Sequence, residues 1–246
     1  MLSLFKKKKI SHDYSSTLQV DMHSHLLPAI DDGAKDFEQS IQLIQSLVAL
    51  GYKKLITTPH VMSDFYTNTP EIILDRLDKL NDIVKNLNIA IEIEAAAEYY
   101  LDEGFITKLE RKEPLLSFGK QKYLLFETSY MNASPHFDYA VFLMQSQGYK
   151  PVLAHPERYV YLFDSLEKPK QWYNKGVLMQ VNINSLSGYY SPTAKLLAEK
   201  LIDNKMVNFL GSDCHGERHI KAMKNTISLP YYQKVLKLDL LNNTLF

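Results

Sequence analysis

Apolar residues recur along the chain in two alternating rhythms. Phe37, Ile41, Ile44 and Val48 fall at helical spacing, as do Ile73, Leu77, Leu80, Val84 and Leu87. Each set would lay an apolar stripe along one side of a helix. Between the helical stretches, short and largely apolar runs predict buried strands at Leu18–Asp21, Lys54–Thr57, Ile91–Ala97, Tyr123–Glu127, Val152–Ala154, Leu178–Val181 and Val207–Leu210. Local punctuation agrees. Asp36 with Gln39 three residues on resembles a capping box, and Thr69-Pro70, Ser134-Pro135 and Ser191-Pro192 each set a cap residue before a proline at the first helical position. Gly51, Gly148 and Gly176 stand where a helix should stop and a strand should follow. Seven strands alternating with helices predict an α/β fold built on a parallel sheet.

The polar residues narrow the architecture. His23 and His25 follow the first strand, His60 the second and Glu98 the third; Glu127 ends the fourth. His155 follows the fifth, and Asp213 and His215 follow the seventh. Only the sixth ends differently, in Asn182 and Asn184. An open sheet would scatter such residues along its edge. A closed or nearly closed barrel would gather them at one mouth, where barrel enzymes keep their catalytic groups.

Composition sets the limits. With 246 residues, 46% of them hydrophobic, the chain can fill a full core. A basic tail over residues 1–17, with Lys6 to Lys9 in a run, is expected to precede a single domain over 18–246. Lys+Arg and Asp+Glu are both 28, so no global field gathers nucleic acid. One cysteine, Cys214, excludes an internal disulfide and a cysteine-based zinc site, and fits a reducing compartment. The apolar runs are too short to span a membrane, and the first residues place their charges after the apolar stretch, the reverse of a signal peptide. The expectation is a soluble cytoplasmic protein.

Buried imidazoles and carboxylates are costly unless paired or metal-bound, so a cluster at successive strand ends points to metal. Eight candidates, His23, His25, His60, Glu98, Glu127, His155, Asp213 and His215, exceed the three or four ligands of one zinc ion. They suit two or three ions with mixed nitrogen and oxygen donors, in the range of manganese, iron or zinc. Clusters of divalent ions are best suited to hydrolysis. Arg158, three residues past His155, and Arg218, three past His215, are the candidate catalytic guanidiniums, and a guanidinium fork matches the oxygens of a phosphate ester. His12, His136 and His219 stand at no strand end and are expected to be non-ligands. Cys214 lacks the glycine-rich loop and the arginine spacing of a cysteine phosphatase, and no nucleophilic serine motif or P-loop is present.

Together the motifs His23-x-His25, Thr-Thr-Pro-His60, Ala-Ala-Glu98, Phe-Glu127-Thr, Ala-His155-Pro-Glu-Arg-Tyr and Ser-Asp213-x-His215 resemble, in order, those of the PHP (polymerase and histidinol phosphatase) superfamily. The extension Asp21-x-His-Ser-His-Leu-Leu-Pro-x-Ile-Asp31-Asp32-Gly33 is similar to one branch, the bacterial manganese-dependent tyrosine phosphatases of capsule and exopolysaccharide operons. This resemblance implies a distorted (β/α)7 TIM-like barrel, a trinuclear site most often filled by Mn²⁺, ligand roles for the eight residues and phosphate contacts for Arg158. It also implies a substrate, the phosphotyrosine tail of a membrane-bound tyrosine kinase. Arg218 lies nearer the last histidine than that family's second arginine does. Rival expectations are a phosphatase of a small phosphomonoester such as histidinol phosphate, a nuclease, and a non-catalytic module that binds the kinase.

Overall fold

Among the described residues, nine short strands pair only in parallel. The structure, a computed structural model, describes residues 18–246, so the basic tail and His12 lie outside the described residues. In chain order the strands are β1 (Val20–Asp21), β2 (Lys54–Thr57), β3 (His60–Val61), β4 (Glu92–Ala95), β5 (Glu98–Tyr100), β6 (Tyr123–Glu127), β7 (Lys150–Leu153), β8 (Leu178–Asn182) and β9 (Phe209–Gly211). One sheet has the order β1-β2-β4 and the other β3-β5-β6-β7-β8-β9. All seven predicted strand regions contain a strand, and two of these strands resume just beyond the predicted bounds, as β3 and β5. The run after Lys54 stops at Thr57 and resumes at His60, because Pro59 has no N–H to give a ladder. Its neighbour stops at Ala95 and resumes at Glu98. Both strands bend together, and the resumed pieces pair again with His60 opposite Glu98.

The segments just past the first and the last strand also meet. Ser24 and Cys214 form a parallel bridge, the Asp213 N–H donates to the His23 carbonyl at 2.8 Å and the His25 N–H donates to the Cys214 carbonyl at 3.0 Å. Just before that, the Asp21 carboxylate accepts from both the N–H and the hydroxyl of Ser212.

Helices form where the spacing places them, each for a local reason. The helix α1 (Phe37–Ala49) opens with the Asp36 carboxylate accepting from the Gln39 N–H at 2.8 Å, and α2 (Pro70–Asn86) with the Thr69 hydroxyl accepting from the Ile72 N–H. Ile73, Leu77, Leu80 and Val84 are buried on α2, but Leu87, predicted on the same stripe, is exposed at its C-cap. After α3 (Glu103–Glu110) comes a further departure. The helix α4 (Phe137–Ser146) starts two residues beyond Pro135, since the Ser134 hydroxyl accepts from the His136 N–H and closes a turn of its own. The remaining helices are α5 (Glu167–Asn174), α6 (Pro192–Asp203, capped by the Ser191 hydroxyl), α7 (Glu217–Thr226) and α8 (Pro230–Val235). Gly51, Gly148 and Gly176 all take the left-handed conformation that ends a helix.

Two apolar clusters fill the molecule. The larger joins the helices to the strands. The smaller draws Val20, Ile56, Leu125, Val152 and Phe209 from five different strands. Side chains alternate along a strand, so the inward face that carries Leu125 carries Glu127 next, and the face that carries Leu178 carries Gln180 and Asn182. The interior is therefore apolar where the strands begin and polar where they end.

Candidate metal centre

Strand ends and the short loops after them deliver the polar cluster. All eight predicted ligands come together, and all but His215 are buried. Two of them, His155 and Asp213, adopt left-handed backbone, at φ 32° and 48°. Non-glycine residues pay for that conformation in strain and keep it where the surrounding structure dictates it. Here the reversal lets a side chain just past a strand end turn back toward the mouth.

Glu98 is the centre. Its side chain is completely buried, and neither carboxylate oxygen has a hydrogen-bond partner. Four imidazole nitrogens surround it instead: His60 Nδ1 at 3.1 Å, His155 Nε2 at 3.1 Å, His23 Nε2 at 3.3 Å and His25 Nε2 at 3.5 Å. Glu127 approaches His60 at 3.2 Å and His155 at 3.8 Å, and Asp213 Oδ1 lies 3.4–3.6 Å from His215, His23 and His25. Four overlapping groups result, each compact enough to hold an ion: His23 with His25 and Asp213; His23 with Glu98 and His155; His60 with Glu98 and Glu127; and His25 with Asp32, His60 and His215. Asp32, whose Oδ1 lies 3.3 Å from His215 and 3.4 Å from His60, was not among the predicted ligands. The sequence signal for it was the Asp31-Asp32-Gly33 run, which stands in a loop rather than at a strand end.

The outer partners fit metal binding as well. His23 donates through Nδ1 to Gln180 Oε1 at 2.8 Å, and Gln180 is fixed in that sense because its Nε2 donates to Asn182 Oδ1. His25 donates through Nδ1 to Asp31 Oδ2 at 2.8 Å. His215 donates through Nδ1 to the Asp213 carbonyl at 3.0 Å. In each case the second ring nitrogen faces the cluster, the orientation in which ligating histidines are held. Charge follows the same lines. Burial opposes protonation of His23, but Glu98 and Asp213 outweigh it and lift the imidazole to about 9. Burial likewise opposes protonation of His60, which Glu98 and Glu127 raise to about 10, and of His215, which Asp213 and Asp32 raise to about 9. Burial would lift the carboxyls of Glu98 and Asp213, yet the imidazoles hold both well below the ordinary range. Carboxylates that draw protons onto imidazoles so strongly would draw a divalent cation more strongly still.

Above the cluster opens a cavity of about 620 Å³, walled by Tyr66, Tyr100, Tyr130, Tyr190, Met131, Arg158 and His219 among others. Arg158 sits on a one-turn helix, Pro156–Arg158, and its NH1 donates to Asp213 Oδ2 at 2.9 Å. Arg218 does not reach this space. It is exposed on the first turn of α7, where the helix turns His219 toward the cavity and its predecessor away. His219, expected to be a non-ligand, is in none of the four groups but lines the cavity beside Tyr189 and His215, and burial lowers it to about 4, so its ring is neutral. Tyr99 and Tyr159 are core residues rather than cavity walls: Tyr99 stacks on Phe105 and accepts from the Leu116 N–H, and Tyr159 donates to the Ala154 carbonyl. Burial holds the Cys214 thiol far above its usual value, which removes it as a nucleophile.

A parallel α/β frame that converges imidazoles and carboxylates beneath an arginine-lined cavity defines a metal-dependent hydrolase class. The chain belongs to the CpsB/CapC family of capsular polysaccharide synthesis, which it matches over residues 19–236. It is 30% identical over 200 residues to the tyrosine-protein phosphatase YwqE of Bacillus subtilis, covering 80% of this chain and 77% of that protein. It is 25% identical over 202 residues to the tyrosine-protein phosphatase CpsB of Streptococcus agalactiae, covering 80% and 83%. Among solved structures it is similar to those described as YwqE from Bacillus subtilis and CpsB from Streptococcus pneumoniae, unique metal-dependent tyrosine phosphatases, with a TM-score of 0.78, 26% identity, and coverage of 88% of this chain and 89% of the other.

Proposed function

We propose that this protein is a metal-dependent protein-tyrosine phosphatase of capsule or exopolysaccharide synthesis, acting on phosphotyrosines in the tail of a membrane-bound tyrosine kinase. The observation that carries the reading is Glu98, a fully buried carboxylate without a hydrogen bond inside a ring of four imidazole nitrogens. Unsatisfied buried carboxylates are expensive, and a place among the ligands of a divalent ion would account for this one. We assign His23, His25, His60, Glu98, Glu127, His155, Asp213 and His215 as ligands, with Asp32 added to the group at His60 and His215. Mn²⁺ is the first choice, and Fe or Zn suit the same donors. Two or three such ions, once bound, would supply Lewis-acid charge and a water acidic enough to be a nucleophile at neutral pH.

The chain itself supplies the rest. Arg158 offers its free guanidinium donors to the phosphoryl oxygens, and Asp213 holds it in place. Tyr130 and Tyr190 stay protonated because burial raises both hydroxyls, so they add no negative charge beside an anionic substrate. Phenolate leaves more readily than an alkoxide, since its conjugate acid has a pKa near ~10. Taking each bent strand as one gives seven among the described residues, and the Ser24–Cys214 bridge joins the segments just past the first and the last; both support a distorted (β/α)7 barrel formed by residues 18–246. A buried lone cysteine favours a cytoplasmic setting. No helix among the described residues is long and apolar enough to cross a membrane.

Matched peptides that differ only in the phosphorylated residue test the substrate. On Mn²⁺-loaded enzyme, kcat/KM for phosphotyrosine should exceed that for phosphoserine by at least roughly tenfold, about 1.4 kcal/mol in the transition state. Equal rates would end the tyrosine-phosphatase reading, and much faster cleavage of histidinol phosphate would transfer it to small phosphomonoesters.

A further inference from the structure

Arg158 is held on more sides than an ion pair requires. Its guanidinium carbon lies 4.2 Å from the centre of the Tyr190 ring and 4.7 Å from that of Tyr130. The two rings arrive from separate loops, Tyr130 just beyond β6 and Tyr190 just before α6. NH1 is taken by Asp213 Oδ2. That same oxygen accepts from Asn182 Nδ2 at 2.6 Å and from the Tyr190 hydroxyl at 3.3 Å, while Oδ1 faces His23, His25 and His215. Asp213 is therefore divided, with one oxygen toward the metal cluster and the other toward Arg158. Tyr190 touches both halves of the arrangement, its ring on the arginine and its hydroxyl on the carboxylate.

A long arginine side chain in a half-open cavity would ordinarily sample many rotamers. Fixing it beforehand removes that cost from substrate binding. We infer that Tyr190 is a positioning residue, whose ring fixes the Arg158 guanidinium with its free donors toward an incoming phosphoryl group and whose hydroxyl, with Asn182, holds the outer oxygen of Asp213. The inference rests on the reading that Arg158 meets the phosphoryl group. A competing role, packing of Tyr190 against the substrate's phenyl ring, fits less well, because Arg158 already occupies the ring and Tyr189 meets it edge-on at 5.0 Å.

Inorganic phosphate separates the two roles, since it has no ring. The dissociation constant of phosphate and the metal content are measured for Mn²⁺-loaded wild type, Tyr190→Leu, Tyr190→Phe and Arg158→Ala. Tyr190→Leu should weaken phosphate about tenfold at unchanged metal content, and Tyr190→Phe, which restores the ring, should recover most of that loss. In an Arg158→Ala background, Tyr190→Leu should add less than about twofold, because the residue it positions is gone. Unchanged phosphate affinity in Tyr190→Leu beside a raised KM for phosphotyrosyl peptide would overturn the inference in favour of substrate packing. Loss of metal in that variant, or an undiminished effect without the arginine, would also overturn it. Phosphate binding that Arg158→Ala leaves intact would instead remove the arginine's own role. Should Tyr190→Leu not fold, Tyr130→Leu presents the same test from the other ring.

Discussion

Gln180 is uncharged, would not itself contact an ion, and still determines which nitrogen His23 presents to one. Its Oε1 accepts from His23 Nδ1 and also from the His155 N–H at 3.2 Å, so one amide orders two candidate ligands. Gln180→Leu should lower metal affinity by roughly 10–100-fold while every candidate ligand remains, measured by titration of metal-stripped protein with Mn²⁺. Arg158→Ala should keep its metal and lose roughly 10²–10³-fold in kcat/KM on phosphotyrosine; an equal loss of bound metal would show that the side chain serves the cluster rather than the substrate. The convergence of the eight candidates was legible in the sequence because few other roles put imidazoles and carboxylates at successive strand ends. Asp32 and Gln180 were less legible for opposite reasons. One stands in a loop with no period to mark it, and the other is uncharged inside a strand.

At the scale of elements, the ends of strands matter more than their middles. Gly211 closes β9 directly beneath the cluster, where an added Cβ would come within 2.6 Å of the His23 Cβ and 2.8 Å of Gln180 Nε2. Gly211→Ala should therefore destabilise the fold by about 1–3 kcal/mol through overpacking and weaken Mn²⁺ binding, because the displaced atoms belong to a candidate ligand and its partner. Thr69→Ala provides the contrast: loss of the α2 cap should cost about 1 kcal/mol and lower Tm with kcat/KM unchanged. Helix positions were read well, since caps and glycine stops are local signals. The bends between β2 and β3 and between β4 and β5 were not, because they depend on two neighbouring strands breaking together, a relation no single segment displays.

For the whole molecule, the charges in the cluster set its response to pH. In chelated protein, His23, His60 and His215 have folded values of about 9, about 10 and about 9, above the ordinary ~6.5. The stability they contribute is complete below that ordinary value and is lost as pH rises through the folded ones. The Tm of metal-free protein should thus fall between pH ~7 and ~10. Metal competes with the same protons, so the increase in Tm on adding Mn²⁺ should grow as pH rises over this range. Scanning calorimetry with and without chelator checks both slopes, and a metal-induced shift that shrinks with rising pH would contradict the assigned ligands.

The contact between the two ends of the ligand series has a consequence for biosynthesis. Asp21 grips Ser212 from 191 positions away, and that junction sets Asp213 beside His23. A growing chain carries most of the candidate ligands long before this junction can form, and contacts so distant in sequence form late. Competence to capture ions should thus be acquired in a single late step, once the chain has been extended past His215. In a time-resolved synthesis experiment, chelator-sensitive protease resistance should appear only in chains extended past His215, and chains halted after His155 should have none.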